Sequence, residues 1–581
     1  MPKIEVNEEA FWHLAGRRYE DRAVFEDALT VAKAELDEEA NKSLPPPERT
    51  LKIELNDTNR PDLWSTAGLA RQLRVYGGGK RTEYPFFSAP DREARRQVRV
   101  ESSVKAVRPW LAGFTARGTA VTGALLKDMI QTQEKLAWNF GRKRRTVSMG
   151  LYRSGAIQWP ILYRAVDPDG VSFVPLQWDT PLTLREILKQ HPKGKEYAFI
   201  QEHEPLHPLL LDSAGGILSY PPIINSADIG AVQAGDTELF VELTGTSMEA
   251  VTLAASIMAC DLADQGFTIE PVEVVYEYDT PFGRKITFPH YFQEPVFCSL
   301  ARIEKFLGEK LDADACTGAL ARMGVRAERE HGTERNGRGP EDGVRAFPPE
   351  YRNDFLHAAD VAEDVMIGRG LASFRPEHPG DFTVGRLLPI TVFSRRVKEI
   401  FVGLGYEEMI YNYLGSRKDL VEKMRGNGEK IIRIANPMTE NYEYVRDSVL
   451  ASLLMSESVS GHSMYPHRMF ETGKAAFRDD AEIYGTATRH YAGFLHAGQD
   501  ATFNTAAGQL QTLFYYLARD YSVEASGDSR FIPGRAALIR YAGKPVGVFG
   551  EIHPEILENW GITMPCTGGE LDLESLLEIT V

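Results

Sequence analysis

Leu239-Phe-Val-Glu-Leu-Thr-Gly-Thr246 reads as a buried strand whose end carries one acid and two hydroxyls. The run Leu239 to Leu243 is short, mostly apolar and followed by Gly245, which favours a strand over a helix. Comparable segments surround it: Ala156 to Tyr163, Leu209 to Leu211 and Val272 to Tyr278, around one long helical pattern from Gly123 to Asn139. From this texture the stretch from Val98 to about Tyr278 is expected to be a mixed α+β domain. A second segment within it, Leu218-Ser-Tyr-Pro-Pro-Ile-Ile-Asn225, joins a hydroxyl, two prolines and an apolar pair. Together with Glu242, Thr244 and Thr246 it can line a small polar pocket; taken separately, each piece also reads as an ordinary turn or strand end.

Upstream, residues 20 to 39 place Val24, Leu29, Val31, Ala32 and Leu36 at helical spacing and stop at Pro45-Pro46-Pro47, which predicts one amphipathic helix. An alternating strand, Leu51-Lys-Ile-Glu-Leu55, follows, and Asn59 with Pro61 is expected to open a helix running to about Tyr76, ended by Gly77-Gly78-Gly79. Downstream, residues 285 to 370 carry helical patterns at Leu300 to Leu307 and Asp314 to Met323, a Gly-rich charged loop at 332 to 343, and a last helix starting near Leu356. After Pro and Gly punctuation at 376 to 380, helical patterns (Val392 to Leu404, Ser448 to Ser456, Thr505 to Asp520) alternate with strands (Lys430 to Ile434, Ala537 to Tyr541). The expectation is a multidomain α+β chain divided at 1–95, 96–280, 285–370 and 380–581, the third part small and helix-rich.

A length of 581 residues suits several such domains, and 43% hydrophobic residues suffice for their cores. The formal charge of −16 argues against a wholesale electrostatic grip on nucleic acid and leaves room for a local basic patch. Gly141-Arg-Lys-Arg-Arg145, preceded by Trp138 and Phe140, is the strongest such run; short basic runs are often only a solvated turn, and the aromatic neighbour makes a phosphate-backbone contact the other reading. Four scattered cysteines give neither a disulfide framework nor a thiolate zinc site. The amino terminus has no leader pattern, and the longest near-apolar stretch, Ala250 to Cys260, is too short to cross a bilayer, so a cytoplasmic protein without membrane attachment is expected.

Two motifs are deceptive. His203-Glu-Pro-Leu-His207 satisfies the zinc-protease pattern, yet that pattern works only on a helix, which Pro205 and Pro208 disrupt. A free-standing metalloprotease would rest on His203 and His207 alone. Gly461-His-Ser-Met-Tyr465 lacks the second glycine of a hydrolase elbow. More informative are Asp354, Asp360, Glu363 and Asp364, the last three on one helical face and Asp354 just before it. Two readings stand: a hard cation such as Mg²⁺ relieving their repulsion, or acids drawn to a helix N-terminus.

At these residues the chain resembles the phenylalanine-tRNA ligase β-subunit family, in its shorter, archaeal and eukaryotic-cytosolic form. The motifs carrying the resemblance are Glu54-Leu-Asn-Asp-Thr-Asn-Arg-Pro-Asp-Leu63, Leu218 to Asn225, Thr244-Gly-Thr246, Tyr351-Arg-Asn-Asp-Phe-Leu-His357 with Glu363-Asp364, and Gly550-Glu-Ile-His-Pro-Glu555. The resemblance implies an assembly of two α and two β chains that joins phenylalanine to tRNA(Phe), with ATP bound in α. It implies a middle editing domain that hydrolyses Tyr-tRNA(Phe), its pocket at Leu210, Ser219, Glu242 and Thr244. It also implies Mg²⁺ at Asp354, Asp360, Glu363 and Asp364, at the contact with α. The last domain, with Met469-Phe-Glu-Thr-Gly473, is similar to a class II synthetase core built on an antiparallel sheet. The ATP-binding motifs of that class are missing, so the domain is expected to be catalytically silent. Two departures from the family pattern bear on editing: the pocket acid, commonly Asp, is Glu242, and Gly-Ile-His-Asp is replaced by Gly150-Leu-Tyr-Arg153. The same scaffold also fits a non-enzymatic tRNA-binding or assembly subunit that has lost editing.

Overall fold

The computed structural model describes residues 2–41, 43–45, 48–57, 59–88, 96–331 and 341–578. Its contacts separate two compact units, Met1–Glu377 and His378–Val581.

The first unit opens with a three-stranded antiparallel sheet, β1 (Lys3–Asn7), β2 (Ala34–Glu38) and β3 (Thr50–Leu55), in the order β1-β3-β2. Alternation decides β3: Leu51, Ile53 and Leu55 are buried and the residues between them half-exposed. The single helix expected over 20–39 is corrected here, because only Arg22–Leu29 is helical, followed by a 3-10 turn at Thr30–Ala32 and then β2. Ala34-Glu-Leu-Asp-Glu38 fits a two-residue period as well as a helical one, and β3 presents a second edge of backbone groups to be paired. Lys33, at φ 50°, makes the break. The helix expected from Asn59 is likewise corrected: Pro61–Leu63 is a 3-10 turn, and Ser65, whose Oγ accepts from the Gly68 amide at 2.9 Å, caps the helix Thr66–Tyr76.

The middle of the unit is one curved sheet of β4 (Gln97–Val100), β5 (Trp110–Arg117), β6 (Val147–Arg153) and β7 (Ile161–Val166), then β10 (His207–Leu211), β11 (Ile217–Tyr220), β12 (Ile224–Asn225), β13 (Glu238–Gly245), β14 (Thr268–Tyr276) and β15 (Lys285–Phe288). A small hairpin, β8 (Ser172–Phe173) with β9 (Leu182–Thr183), stands apart from it. The strands follow the order β12-β11-β10-β7-β4-β14-β5-β13-β6, with β15 on β14. The apolar run Ala250 to Cys260 lies in the helix Met248–Asp264, buried along nearly its whole length and packed on β5 and β13. Among the described residues no helix is long and apolar enough to cross a membrane. Each large aliphatic side chain this helix buries, such as Leu253, Ile257 and Leu262, is worth roughly 1.5–3 kcal/mol of transfer free energy. The long helix Gly123–Lys135 runs on through a wide turn to Phe140 and ends in the basic run.

The rest of the unit is a sheet of β16 (Val296–Ser299), β17 (Arg326–His331) and β18 (Asp342–Phe347), in the order β16-β18-β17, with helices Leu300–Leu307, Ala313–Arg322 and Ala358–Arg369. The expected loop at 332 to 343 falls mostly outside the described residues, and its last two positions, Asp342 and Gly343, already belong to β18.

In the second unit a seven-stranded sheet runs Glu407–Glu408, His467–Arg478, Thr486–Ala497, Cys566–Asp572, Lys544–Ile552, Phe531–Tyr541, Ser522–Ala525. All neighbours are antiparallel except the short first strand. Helices Pro389–Gly403 and Phe503–Tyr516 bury Phe401, Leu510 and Phe514 with Phe470 and Phe494 of the sheet. The strand expected at Lys430 to Ile434 shrinks to Ile432–Arg433.

Candidate functional site

Strand alternation puts Phe240, Glu242 and Thr244 of β13 on one face. Register sets Glu242 between Gly113 of β5 and Gly150 of β6, and Thr244 between Leu111 and Ser148. A side chain at Gly150 would begin 2.2 Å from the Tyr152 hydroxyl and 2.7 Å from Glu242 Oε2, so the crowding above this strand tolerates only glycine. The ends of the long sheet meet here. From β12 the Asn225 amide donates to the Leu151 carbonyl of β6 at 3.2 Å, and Arg144 donates to the carbonyls of Pro222 and Ile223, both at 3.0 Å. Between them lies a cavity of about 390 Å³, lined by Met149, Tyr152, Ser219, Pro222, Asn225 and Glu242 among others. That size suits a small-molecule group.

Of the four expected pocket residues, Ser219 and Glu242 line this cavity. Thr244 lies one step deeper, and Leu210, paired with Ser219 and Tyr163, is wholly buried in the core and does not line the cavity. Sequence reasoning missed Arg108, which no motif marks. Its guanidinium, 1% exposed, donates to Thr244 Oγ1 at 3.0 Å, to the Thr244 carbonyl at 2.6 Å, to Ser148 Oγ at 3.0 Å and to the Arg145 carbonyl at 3.2 Å. Burial lowers its pKa to about 10, against the pull of Tyr163 and Glu242.

Glu242 is 2% exposed, and its Oε2 lies 2.7 Å from the Tyr152 hydroxyl, which is itself 2.8 Å from Ser219 Oγ. Its other oxygen, Oε1, is buried without a partner. Burial raises this carboxyl to about 7, although Tyr152, Arg108 and Thr244 favour the ionised form. Near neutral pH it therefore exists in both forms and can accept or donate a hydrogen bond to a ligand. No His or Lys makes a hydrogen bond to Ser219 among the described residues, so the arrangement suits attack by a positioned water rather than by an activated serine.

The basic run is a tight turn in which Arg142, Lys143 and Arg144 all have positive φ. Its cations lie over aromatic rings, Lys143 over Trp138, Arg144 over Tyr197 and Arg145 over Phe199. Arg144 thus braces the pocket rim.

In this structure the four acids are not gathered around one open position; each is held by a partner. Arg352, 2% exposed, occupies the space between Asp354 and Asp364, donating to Asp354 at 2.9 and 2.6 Å and to Asp364 at 2.6 and 3.1 Å. Asp360 accepts from the amides of Leu356 and His357 at the helix start, and Glu363 binds Lys33 at 2.7 Å. The void among Arg60, Arg352, Asp354 and Asp364 is about 10 Å³, the room of one water. Among the described residues no cluster of three or more His, Cys, Asp or Glu side chains is arranged to hold a metal. Further buried ion pairs lie in the same unit: Arg60 pairs bidentately with Asp62 at 2.8 Å, and Arg71 binds Asp261 and Asp264 at 2.9 Å beneath the Tyr351 ring. Arg71 thereby ties the helix Thr66–Tyr76 to Tyr351 and to the helix Met248–Asp264.

His203 is exposed in a turn, while His207 is buried at the start of β10 against Tyr220, so the two imidazoles do not converge. In the second unit Glu471, 2% exposed, is bound by Arg446 at 2.7 and 2.8 Å, and Arg446 also donates to Ser452 Oγ and the Lys474 carbonyl. A side chain at Gly473 would begin 2.2 Å from Arg446 Nη2. The charged centre of this sheet is filled by its own side chains.

Fold and site define a multidomain α+β chain with a hydroxyl- and carboxyl-lined pocket in its first unit and an antiparallel-sheet second unit. Residues 378–573 match the family model of the phenylalanyl tRNA synthetase beta chain CLM domain, and residues 296–371 that of the tRNA synthetase B5 domain. The phenylalanine–tRNA ligase beta subunit of Treponema pallidum is 45% identical over 614 aligned positions, covering 99% of this chain and 100% of that protein. That of Borrelia hermsii is 43% identical with the same coverage. A crystal structure of an N-terminal fragment of the phenylalanyl-tRNA synthetase beta-subunit from Pyrococcus horikoshii superposes with a TM-score of 0.56 at 33% identity, covering 64% of this chain and 100% of the fragment. The chain belongs to the phenylalanine-tRNA ligase β-subunit family.

Proposed function

We propose that this chain works with an α subunit, as two α and two β chains, to attach phenylalanine to tRNA(Phe) at the expense of ATP, and that its middle domain hydrolyses Tyr-tRNA(Phe). ATP, and the Mg²⁺ that accompanies it, would be held by the partner, because the charged centre of the second unit is already internally paired through Arg446 and Glu471. Exposed apolar side chains on that unit, including Phe382, Val384, Ile410 and Met438, favour a partner chain there. The four-part division at 1–95, 96–280, 285–370 and 380–581 draws support from the separate sheets β1-β3-β2 and β16-β18-β17, with β15 (Lys285–Phe288) joining the middle sheet across the boundary between the second and third parts, and the subunit would act in the cytoplasm. The short archaeal and eukaryotic-cytosolic form is supported by the Pyrococcus fragment, while the spirochaete relatives place proteins of the same extent in bacteria.

The observation that carries editing is the buried carboxyl of Glu242, one oxygen unpartnered, facing a cavity shared with Ser219. Tyrosine differs from phenylalanine by one hydroxyl, which an apolar synthetic pocket rejects imperfectly, so a second, hydrolytic sieve is the remedy. A buried polar group that pairs with that hydroxyl and is left unpaired by phenylalanine supplies the discrimination. Thr244, held by Arg108, would orient the ester or the attacking water. Deacylation of Tyr-tRNA(Phe) by the assembled enzyme tests this, comparing wild type with Glu242→Ala and Thr244→Val while Phe-tRNA synthesis is monitored. Loss of hydrolysis with intact synthesis is expected; undiminished hydrolysis in both variants would reject the residue assignment. Absence of hydrolysis in the wild type would favour an assembly subunit that no longer edits.

A further inference from the structure

The phenol that sits on Glu242 belongs to the protein itself. Tyr152 is wholly buried, its hydroxyl 2.7 Å from Glu242 Oε2 and 2.8 Å from Ser219 Oγ. Its ring leans back over Gly150, the one position on the strand with no side chain in its way, and packs beside Phe240 at 5.8 Å. A phenol has a single proton, so donation to Glu242 leaves it only as an acceptor toward Ser219. Glu242 is only 2% exposed at the cavity wall, and its Oε1 is buried and lacks a donor. A ligand hydroxyl can therefore take the Oε2 position on this cavity wall only if Tyr152, which is hydrogen-bonded there, yields.

We propose that Tyr152 is a latch on the pocket: its phenol takes the place on Glu242 that a tyrosyl hydroxyl would occupy, and must swing away before a tyrosyl ester binds. This rests on the reading of the cavity as an aminoacyl-ester pocket. The internal phenol presents the same group, in the same hydrogen bond, as the substrate that the pocket would read. It competes with tyrosyl and has no such effect on phenylalanyl, which offers no hydroxyl. Tyr152 is thus a specificity-determining residue that sets a threshold for tyrosyl entry.

The test uses the full-length chain and two non-hydrolysable probes, 3′-tyrosylamino- and 3′-phenylalanylamino-3′-deoxyadenosine, measured by calorimetry. Tyr152→Phe keeps the ring packed on Phe240 and removes only the hydroxyl, so the fold is preserved. The tyrosyl probe is expected to bind Tyr152→Phe at least about tenfold more tightly than wild type, the worth of one freed hydrogen bond to a charged group. The phenylalanyl probe should change by less than about twofold, by the same reasoning. An unchanged or reduced tyrosyl-to-phenylalanyl ratio, or no binding of either probe to the variant, overturns the proposal. Failure of the editing reading would look different: no deacylation of Tyr-tRNA(Phe) by wild-type or Tyr152→Phe enzyme, whatever the binding ratio.

Discussion

Replacing Arg352 by Ala should both destabilise the first unit and free two of its buried carboxylates to take up a cation. Arg352 makes bidentate contacts with Asp354 and Asp364, and all three side chains are nearly inaccessible. Removing the cation leaves two buried carboxylates facing each other, and breaking such a pair costs about 3–5 kcal/mol. At about 2.1 cal/mol/K of unfolding entropy per residue, the unit Met1–Glu377 loses roughly 5 °C in Tm for about 4 kcal/mol. The truncation also opens a void next to Asp354 and Asp364, two carboxylates freed of their guanidinium, with Glu363, still paired to Lys33, beside them. Millimolar Mg²⁺ should then restore part of the lost Tm in Arg352→Ala and leave the wild type unmoved, as followed by calorimetric scans with Mg²⁺ and with EDTA. A wild-type Tm that falls on chelation by as much as the variant's would refute the reasoning and return the four acids to a metal role.

Three further outcomes follow from the charged groups. Glu242, raised from 4.5 to about 7 by burial, binds its proton more tightly folded than unfolded, so its contribution is intact below about pH 4.5 and lost as pH rises through 7, a swing of about 3 kcal/mol. Glu242→Gln should therefore gain in Tm relative to wild type between pH 5 and pH 8, and parallel pH profiles would contradict it. Asp354 is pushed up by burial, yet Arg352 and Arg60 bring it down to about 2, so it stabilises above its ordinary 3.8 and loses about 2 kcal/mol as pH falls toward 2. The Tm gap between wild type and Asp354→Asn should narrow over that window, whereas a constant gap would show that the carboxylate is not the source. In the second unit Glu471→Ala leaves Arg446 buried without its partner, at a cost of about 3–5 kcal/mol. Unfolding of that unit should move to lower denaturant, while Glu471→Gln, which keeps an acceptor, should move it less.

What the sequence disclosed, and what it did not, divides along the range of the forces involved. Local signals held where one period had no competitor: the helix Leu300–Leu307 and the alternating strand Thr50–Leu55 lie where the pattern put them. They misled where two periods fit the same letters. Ala34 to Glu38 became a strand because β3 had an open edge to pair, a demand located more than ten residues away. The long strands His467–Arg478 and Thr486–Ala497 went unseen because their inner stretches, Met469 to Glu471 and Ala492 to Ala497, are buried on both faces, by aromatic packing on one and by the Arg446–Glu471 pair on the other, so no polar alternation marks them there. The site divides in the same way. Ser219 and Glu242 could be named from short motifs, but Leu210 proved to be core, and Arg108 and Tyr152 acquire meaning only when the sheet curls and brings β6 against β11. The four acids show the limit most clearly. Spacing along a helix reports that Asp360, Glu363 and Asp364 are neighbours, yet it cannot report that Arg352 turns back onto Asp364, that the amides of Leu356 and His357 donate to Asp360, or that Lys33 arrives from far along the chain to pair with Glu363. Charge clusters in a sequence are half of a balance, and the fold supplies the other half.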